Sequence, residues 1–286
     1  MELPQSLEQA ATLSVLTTIG STNDELVRRA SAGELPEFSV LLTTDQTAGR
    51  GRLGRVWEAP AGKTIAVSVL LRPRLAPLAG TGKAGREGAG DAVALGLEHF
   101  GWLPLLAGIA MTRSIAERVP EHRVTLKWPN DVLIDGAKVA GILAELLPGG
   151  AAVVIGVGVN LTIERAELPT ATSTSLLLNG ADLVGDGLTI DTLADAVLSA
   201  FLRELKSLYR DFLDHEADPE TSGVRAALLE QCGTIGQRVK VQLPGDHTIF
   251  GTAIDVDRAG RLMVRDATND LVQAVAAGDV THLRYE

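Results

Sequence analysis

Residues 49–55 read Gly-Arg-Gly-Arg-Leu-Gly-Arg, three arginines interleaved with three glycines in a 286-residue chain of formal net charge −10. Glycine lets a backbone approach a ligand closely and turn its N–H groups toward it. Arginine adds a planar, permanently charged fork that matches phosphate and carboxylate oxygens. The combination suits an anion cradle, set against the plainer reading of a solvated surface turn. Three familiar phosphate loops share part of the pattern and fail on context. Gly49, Gly51 and Gly54 fit G-x-G-x-x-G, but Val56-Trp57-Glu58-Ala59-Pro60 follows where a dinucleotide fold requires a helix. No His-Arg-Asp or Asp-Phe-Gly follows, as a kinase glycine loop would require. Gly62-Lys63-Thr64 ends like a P-loop, yet Trp57 stands where the first glycine belongs.

Other chemical candidates are spread along the first 160 residues. Lys127-Trp128-Pro129-Asn130-Asp131 sets an amide and a carboxylate at a strand junction. Regular alternation along 137–147 would put Lys138 on one face with Ala140 and Ile142, and Gly141 and Glu145 on the other. A lysine on such a strand is either an edge-strand gatekeeper or a cation aimed into a site. Ser21, Thr22 and Asn23 read most simply as a helix cap, and Asn160 as a strand-end cap or turn. The five histidines have no metal-ligand spacing, and no G-x-S-x-G element points to a hydrolase.

Elements that must hold these residues follow from apolar runs and their punctuation. Strands are predicted at Leu13–Thr18, Ser39–Thr44 and Thr64–Leu71, the last nearly all apolar and therefore central. A helix over Glu25–Ala32 is capped by the Ser-Thr-Asn-Asp run and stopped by Gly33. Leu105–Val119 has helical spacing and ends at Pro120. Asp135-Gly136 between the runs 131–134 and 137–147 is a strong hairpin signal. With Val124–Trp128 and Ala152–Val159, an antiparallel-rich sheet results. Residues 74–91, rich in Gly, Ala and Pro, read as a mobile loop. A long amphipathic helix is expected at 191–212 and a shorter one at 223–231. Beyond Cys232-Gly233, short strands at Val239–Leu243, Thr248–Val256, Arg261–Val264 and Leu271–Ala274 suggest a small all-β module. The expected division is 1–231 and 232–286.

Composition narrows the class. Hydrophobic content of 45% and charged content of 22% fit a globular chain of one large domain, or one large and one small. A pI near 5.1 argues against non-specific nucleic-acid binding. One cysteine, Cys232, rules out an internal disulfide and fits a reducing compartment. With no signal-peptide pattern and no apolar run of ~20 residues, a cytoplasmic protein with no membrane segment is expected.

Taken in order, five segments resemble the biotin protein ligases: Gly20–Asn23; Gln46 with Ala48–Arg55 and Trp57; Lys127–Asp131; Lys138–Leu143; and Gly156–Asn160. The resemblance implies an α+β fold. Its catalytic domain would be like that of class II aminoacyl-tRNA synthetases, with a mixed or antiparallel sheet, followed by a small SH3-like β domain. It also implies ATP, with Mg²⁺, and biotin as substrates, biotinyl-5′-AMP as intermediate, and a biotin carboxyl carrier domain as acceptor. On this resemblance Lys138 and Arg50 are catalytic. Ser21, Thr22, Asn23, Gln46, Arg50, Gly51, Arg52 and Lys138 bind biotin. Arg52, Arg55, Trp57, Asn130, Asp131 and Asn160 bind the nucleotide, with Asp131 available to support Mg²⁺. Residues 49–58 are expected to order with ligand. Because the Ser-Thr-Asn element begins at residue 21, no room is left for the DNA-binding domain some members carry. A monomeric or weakly dimeric ligase without operator binding is expected. Lipoate ligation and a non-catalytic biotin or nucleotide sensor are the alternatives.

Overall fold

In the computed structural model, all residues are described except 34, 76–92, 151, 182–188, 244–247, 277–278 and 284–286. In chain order the elements begin with α1 (Pro4–Gln9), β1 (Thr12–Leu16), α2 (Thr22–Ala32), β2 (Ser39–Thr43) and β3 (Thr64–Leu71). A short pair, β4 (Arg74–Leu75) and β5 (Val93–Ala94), precedes α3 (Trp102–Ala116). Next come β6 (Val124–Lys127), β7 (Asp131–Ile134), β8 (Ala137–Leu146) and β9 (Val153–Asn160). Two helices follow, α4 (Ile190–Asp214) and α5 (Val224–Gln231). The chain closes with β10 (Arg238–Gln242), β11 (Thr248–Val256), β12 (Leu262–Asp266), β13 (Val272–Val275) and β14 (Asp279–His282). The mobile loop expected at 74–91 lies outside the described residues after Leu75.

Seven strands form the large sheet in the order β1-β2-β3-β9-β8-β7-β6, with only β1 and β2 parallel. This is the α+β, antiparallel-rich architecture expected. β3 is buried along its whole length because both faces are covered. Ile65, Val67, Val69 and Leu71 belong to the main core, which includes residues of α3 and α4. Leu70 faces the other way, with Leu41 and Val154, onto Leu26 and Ala30 of α2. The helices therefore lie on opposite faces, and the space beyond α2 on its face is left for the cleft. Asp135 and Gly136 turn β7 into β8 with φ of 48° and 84°, both left-handed as a tight two-residue hairpin requires.

α1 has no side-chain cap of its own. The buried carboxylate of Asp195 on α4 takes that part, accepting from Gln5 N at 3.0 Å, Ser6 N at 2.8 Å and Ser6 Oγ at 2.6 Å. The second sheet is five-stranded and antiparallel, in the order β13-β12-β11-β10-β14. Two indole groups fasten it to the elements of the large sheet and its helices: Trp102 Nε1 donates to Arg258 O (2.7 Å) and Trp128 Nε1 to Gly260 O (3.0 Å). The Trp128 N–H also donates to Thr234 Oγ1. One continuous core runs through both sheets, from Val67 to Val239 and Val264.

Candidate active site

Strand β9 carries the floor. Its Val153, Ile155, Val157 and Val159 point into the main core, so Val154, Gly156, Gly158 and Asn160 face the α2 side. The two glycines lie under occupied space. A Cβ on Gly156 would stand 2.3 Å from Asn23 Oδ1, and one on Gly158 2.5 Å from the indole of Trp57. The Val-Gly alternation therefore seals the core on one face and lets a polar side chain and an aromatic ring close on the backbone of the other.

Strand β8 supplies the cation. Register with β7 slips between Val132↔Ala140 and Leu133↔Lys138, leaving Val139 unpaired. Val139 and Ala140 both enter the core, and the bulge reverses the facing of everything before it. Lys138 consequently shares the cleft with Gly141, on which a Cβ would stand 3.1 Å from Nζ. This corrects the regular alternation, which sets Gly141 and Glu145 opposite Lys138. β8 lies between β7 and β9, so Lys138 is no edge gatekeeper. Its Nζ pairs with Asp131 Oδ1 at 2.6 Å.

The Gly/Arg segment folds over this floor as a closed loop. Trp57 N donates to Gly49 O (2.9 Å) and Gly51 N to Arg55 O (2.7 Å), and Leu53 and Gly54 turn the tip at φ of 57° and 73°. Gly49 has no room for a side chain, since a Cβ would meet Trp57 O at 2.3 Å. Arg50 Nη2 donates to both oxygens of Glu145, at 2.7 and 2.8 Å, and to Asp24. Partial burial opposes the charge of Arg50, but Glu145 and then Asp24 raise its pKa. Arg52 Nη1 donates to Asn130 Oδ1 at 3.1 Å. Arg55 lines the same cleft.

The N-terminus of α2 closes the remaining side. Ser21 Oγ caps the helix by accepting from Asp24 N, and the residue also lines the cleft. Gln46 Oε1 accepts from Thr22 N and Thr22 Oγ1. Asn23 is buried; its Oδ1 accepts from Ser68 Oγ at 2.6 Å, and its Nδ2 donates to Glu145 (2.7 Å) and to Leu143 O (3.3 Å). Both of its amide protons are committed within the protein.

The structure thus gathers Ser21, Thr22, Asn23, Gln46, Arg50, Gly51, Arg52, Arg55, Trp57, Asn130, Asp131 and Lys138 around one cleft of about 890 Å³, open in part to solvent. Asn160 stands outside it. Its Nδ2 donates to Thr174 O at 2.9 Å and its carbonyl accepts from Leu176 N, the strand-end role its position suggests. Sequence reasoning misses Glu145, Asp24 and Ser68 as partners of the site. Ser68 carries a signal, as the one polar residue in the middle of the apolar run 65–71.

Comparison with known proteins shows the family and the fold. The Biotin/lipoate A/B protein ligase family model matches residues 15–161, and the Biotin protein ligase C terminal domain model matches 234–283. The chain is 39% identical over 276 residues to the biotin-(acetyl-CoA-carboxylase) ligase of Mycobacterium tuberculosis, covering 95% of this chain and 89% of that protein. It is 32% identical over 255 residues to the bifunctional ligase/repressor BirA of Escherichia coli, covering 88% and 68%. The biotin protein ligase of Aquifex aeolicus, solved in complex with biotin and ATP, shares the fold with a TM-score of 0.64 at 23% identity, over 96% of this chain and 100% of that one. This chain belongs to the biotin/lipoate A/B protein ligase family.

Proposed function

We propose that this cleft joins biotin to ATP as biotinyl-5′-adenylate and then passes the biotinyl group to one lysine of a biotin carboxyl carrier domain. The observation that carries the reading is the convergence of four cations, Arg50, Arg52, Arg55 and Lys138, with the hydroxyl and amide groups of Ser21, Thr22 and Gln46 in one cleft. Such a lining suits a neutral polar ring joined to an acyl phosphate.

In the first step a biotin carboxylate oxygen bonds to the α-phosphorus of ATP and the bond to the bridging oxygen breaks, releasing pyrophosphate. Bringing an anion to a polyanion is the obstacle, so positioning and charge stabilisation carry the catalysis. Lys138 holds the carboxylate and the α-phosphate together. Arg50 and Arg52 hold the phosphates, and Trp57 offers a flat face to the base. In the second step a neutral carrier lysine attacks the mixed anhydride carbonyl, the acyl–phosphate bond breaks, AMP leaves and the amine loses its proton to solvent. Mg²⁺ enters with ATP as part of that substrate. Among the described residues no three His, Cys, Asp or Glu side chains are grouped to hold a metal. Asn130 and Asp131 would add at most an oxygen or two to a shell of phosphate and water.

In this reading residues 1–231 form the catalytic unit and 232–286 the β module. No described helix is long and apolar enough to cross a membrane. Selectivity for biotin rests on buried polar partners that an analogue lacking the ureido ring would leave unpaired. The test is ATP-dependent labelling of a carrier domain by biotin with lipoate as competitor. Labelling that lipoate does not suppress supports the reading, and preferential use of lipoate contradicts it.

A further inference from the structure

We infer that Glu145 is a positioning residue that aligns Arg50 for the acyl-adenylate and ties it to the floor of the biotin pocket. This rests on the functional reading above. One carboxylate, on β8, accepts from Asn23 Nδ2 at 2.7 Å and from Arg50 Nη2 at 2.7 and 2.8 Å. Asn23 is in turn fixed by Ser68 Oγ at 2.6 Å and lies on Gly156. A single chain of bonds therefore runs from the central strand β3, through the start of α2, to the Gly/Arg loop.

The geometry distinguishes positioning from competition. Every carboxylate contact of Arg50 falls on Nη2: Glu145 on one side and Asp24 on the other. Among the described residues nothing accepts from its Nε or Nη1. The guanidinium is anchored through one nitrogen and keeps its other N–H groups for an incoming phosphate. Glu145 is the more enclosed of the two anchors, with a side chain 24% exposed against 61% for Asp24. Glutamine, with its oxygen in the place of Oε2, would still accept from Asn23 but would turn an amide donor toward Arg50 in the place of Oε1 and carry no charge. Arg50 would then be left with one neutral acceptor in place of the carboxylate, without opening the pocket floor.

The experiment measures how long biotinyl-5′-AMP, formed in place from biotin and ATP, stays on the full-length protein. It uses the wild type, Glu145→Gln, Glu145→Asp, Arg50→Ala and the double variant Glu145→Gln/Arg50→Ala. Glu145→Gln should shorten retention by about 10-fold or more, the scale of one charge-assisted hydrogen bond. The KM for biotin should move less than 3-fold, because Asn23 keeps its acceptor. Glu145→Asp, which keeps the charge, should recover part of the loss. In the Arg50→Ala background Glu145→Gln should add less than 2-fold, because it acts through that arginine. Unchanged retention in Glu145→Gln, or losses that multiply in full in the double variant, overturns the assignment. If Glu145→Gln does not fold, the same comparison is made with Glu145→Ala, which also removes the carboxylate and whose wild-type retention would overturn it equally. If the wild type forms no adenylate, the functional reading itself has failed and this assignment falls with it.

Discussion

A methyl group at Gly156 would stand 2.3 Å from Oδ1 of Asn23 and 2.8 Å from its Cγ and Nδ2. Ordinary contact begins near 3.4 Å, so the Asn23 side chain would have to retreat by about 1 Å. It has nowhere easy to go. Oδ1 accepts from Ser68, and Nδ2 donates to Glu145 and Leu143 O, so a shift strains three hydrogen bonds together. Ser68 is fully buried, and orphaning its hydroxyl costs about 1–3 kcal/mol. Overpacking a closed site adds about 1–3 kcal/mol, part of it the same strain. Gly156→Ala should therefore lose roughly 2–4 kcal/mol of stability, or about 4–10 °C in Tm. If Asn23 contacts biotin as proposed, a displacement of ~1 Å there should also lower kcat/KM for biotin by about 100-fold. Calorimetry and biotin-dependent exchange of pyrophosphate into ATP measure the two effects. Gly33→Ala is the control: its φ of −167° suits alanine, a Cβ there meets nothing within 4 Å, and its effect should stay within about 0.5 kcal/mol. A Gly156→Ala protein with wild-type Tm and wild-type biotin KM would refute the assignment of this floor.

Three further outcomes are expected. Lys138→Ala should lower biotin-dependent pyrophosphate release by at least ~10²-fold, by analogy with loss of one charge-stabilising donor; near-wild-type release would remove Lys138 from the chemistry. Backbone amides of residues 49–58 should gain hydrogen-exchange protection with biotin plus ATP, and unchanged protection would count against a loop that closes on its ligand. Glu25, held by Arg28 and then Arg29, has its carboxyl lowered from 4.5 to about 2. A depressed carboxyl contributes stability above its unfolded value that is lost as pH falls through the folded one. The stability gap between wild type and Glu25→Gln, about 0.5–1 kcal/mol for so exposed a cluster, should thus be present at pH 6 and shrink between pH 4.5 and 2. Urea titrations at pH 6 and pH 3 that give the same gap would contradict the pairing.

Local signals make most of the framework legible. The Ser21 cap, the Gly33 stop, the Asp135-Gly136 hairpin and the apolar run of β3 each depend on neighbours in sequence, and each is found where expected. The signals that fail are non-local. α1 is held by Asp195, 189 and 190 positions away, and nothing within Pro4–Gln9 announces it. β14 pairs with β10 across about 40 residues and carries no hairpin turn of its own. Regular alternation misplaces Lys138 because a one-residue bulge at Val139 has no turn residue to mark it. Glu145 keeps the face that alternation gives it, with Gly141 and opposite Ala140 and Ile142, but with Lys138 set on the other face nothing marks it as a partner of Arg50. For Asn160 the motif and the geometry part: the residue closes the Thr174 segment onto β9 rather than facing the cleft.

The most direct test of the central claim is to mix the purified full-length protein with biotin and MgATP and follow both products. Stoichiometric pyrophosphate release with a protein-bound species of the mass of biotinyl-5′-AMP, discharged as AMP when a carrier domain is added, is the expected result. ATP turnover that does not depend on biotin, or biotin binding without pyrophosphate release, would contradict it.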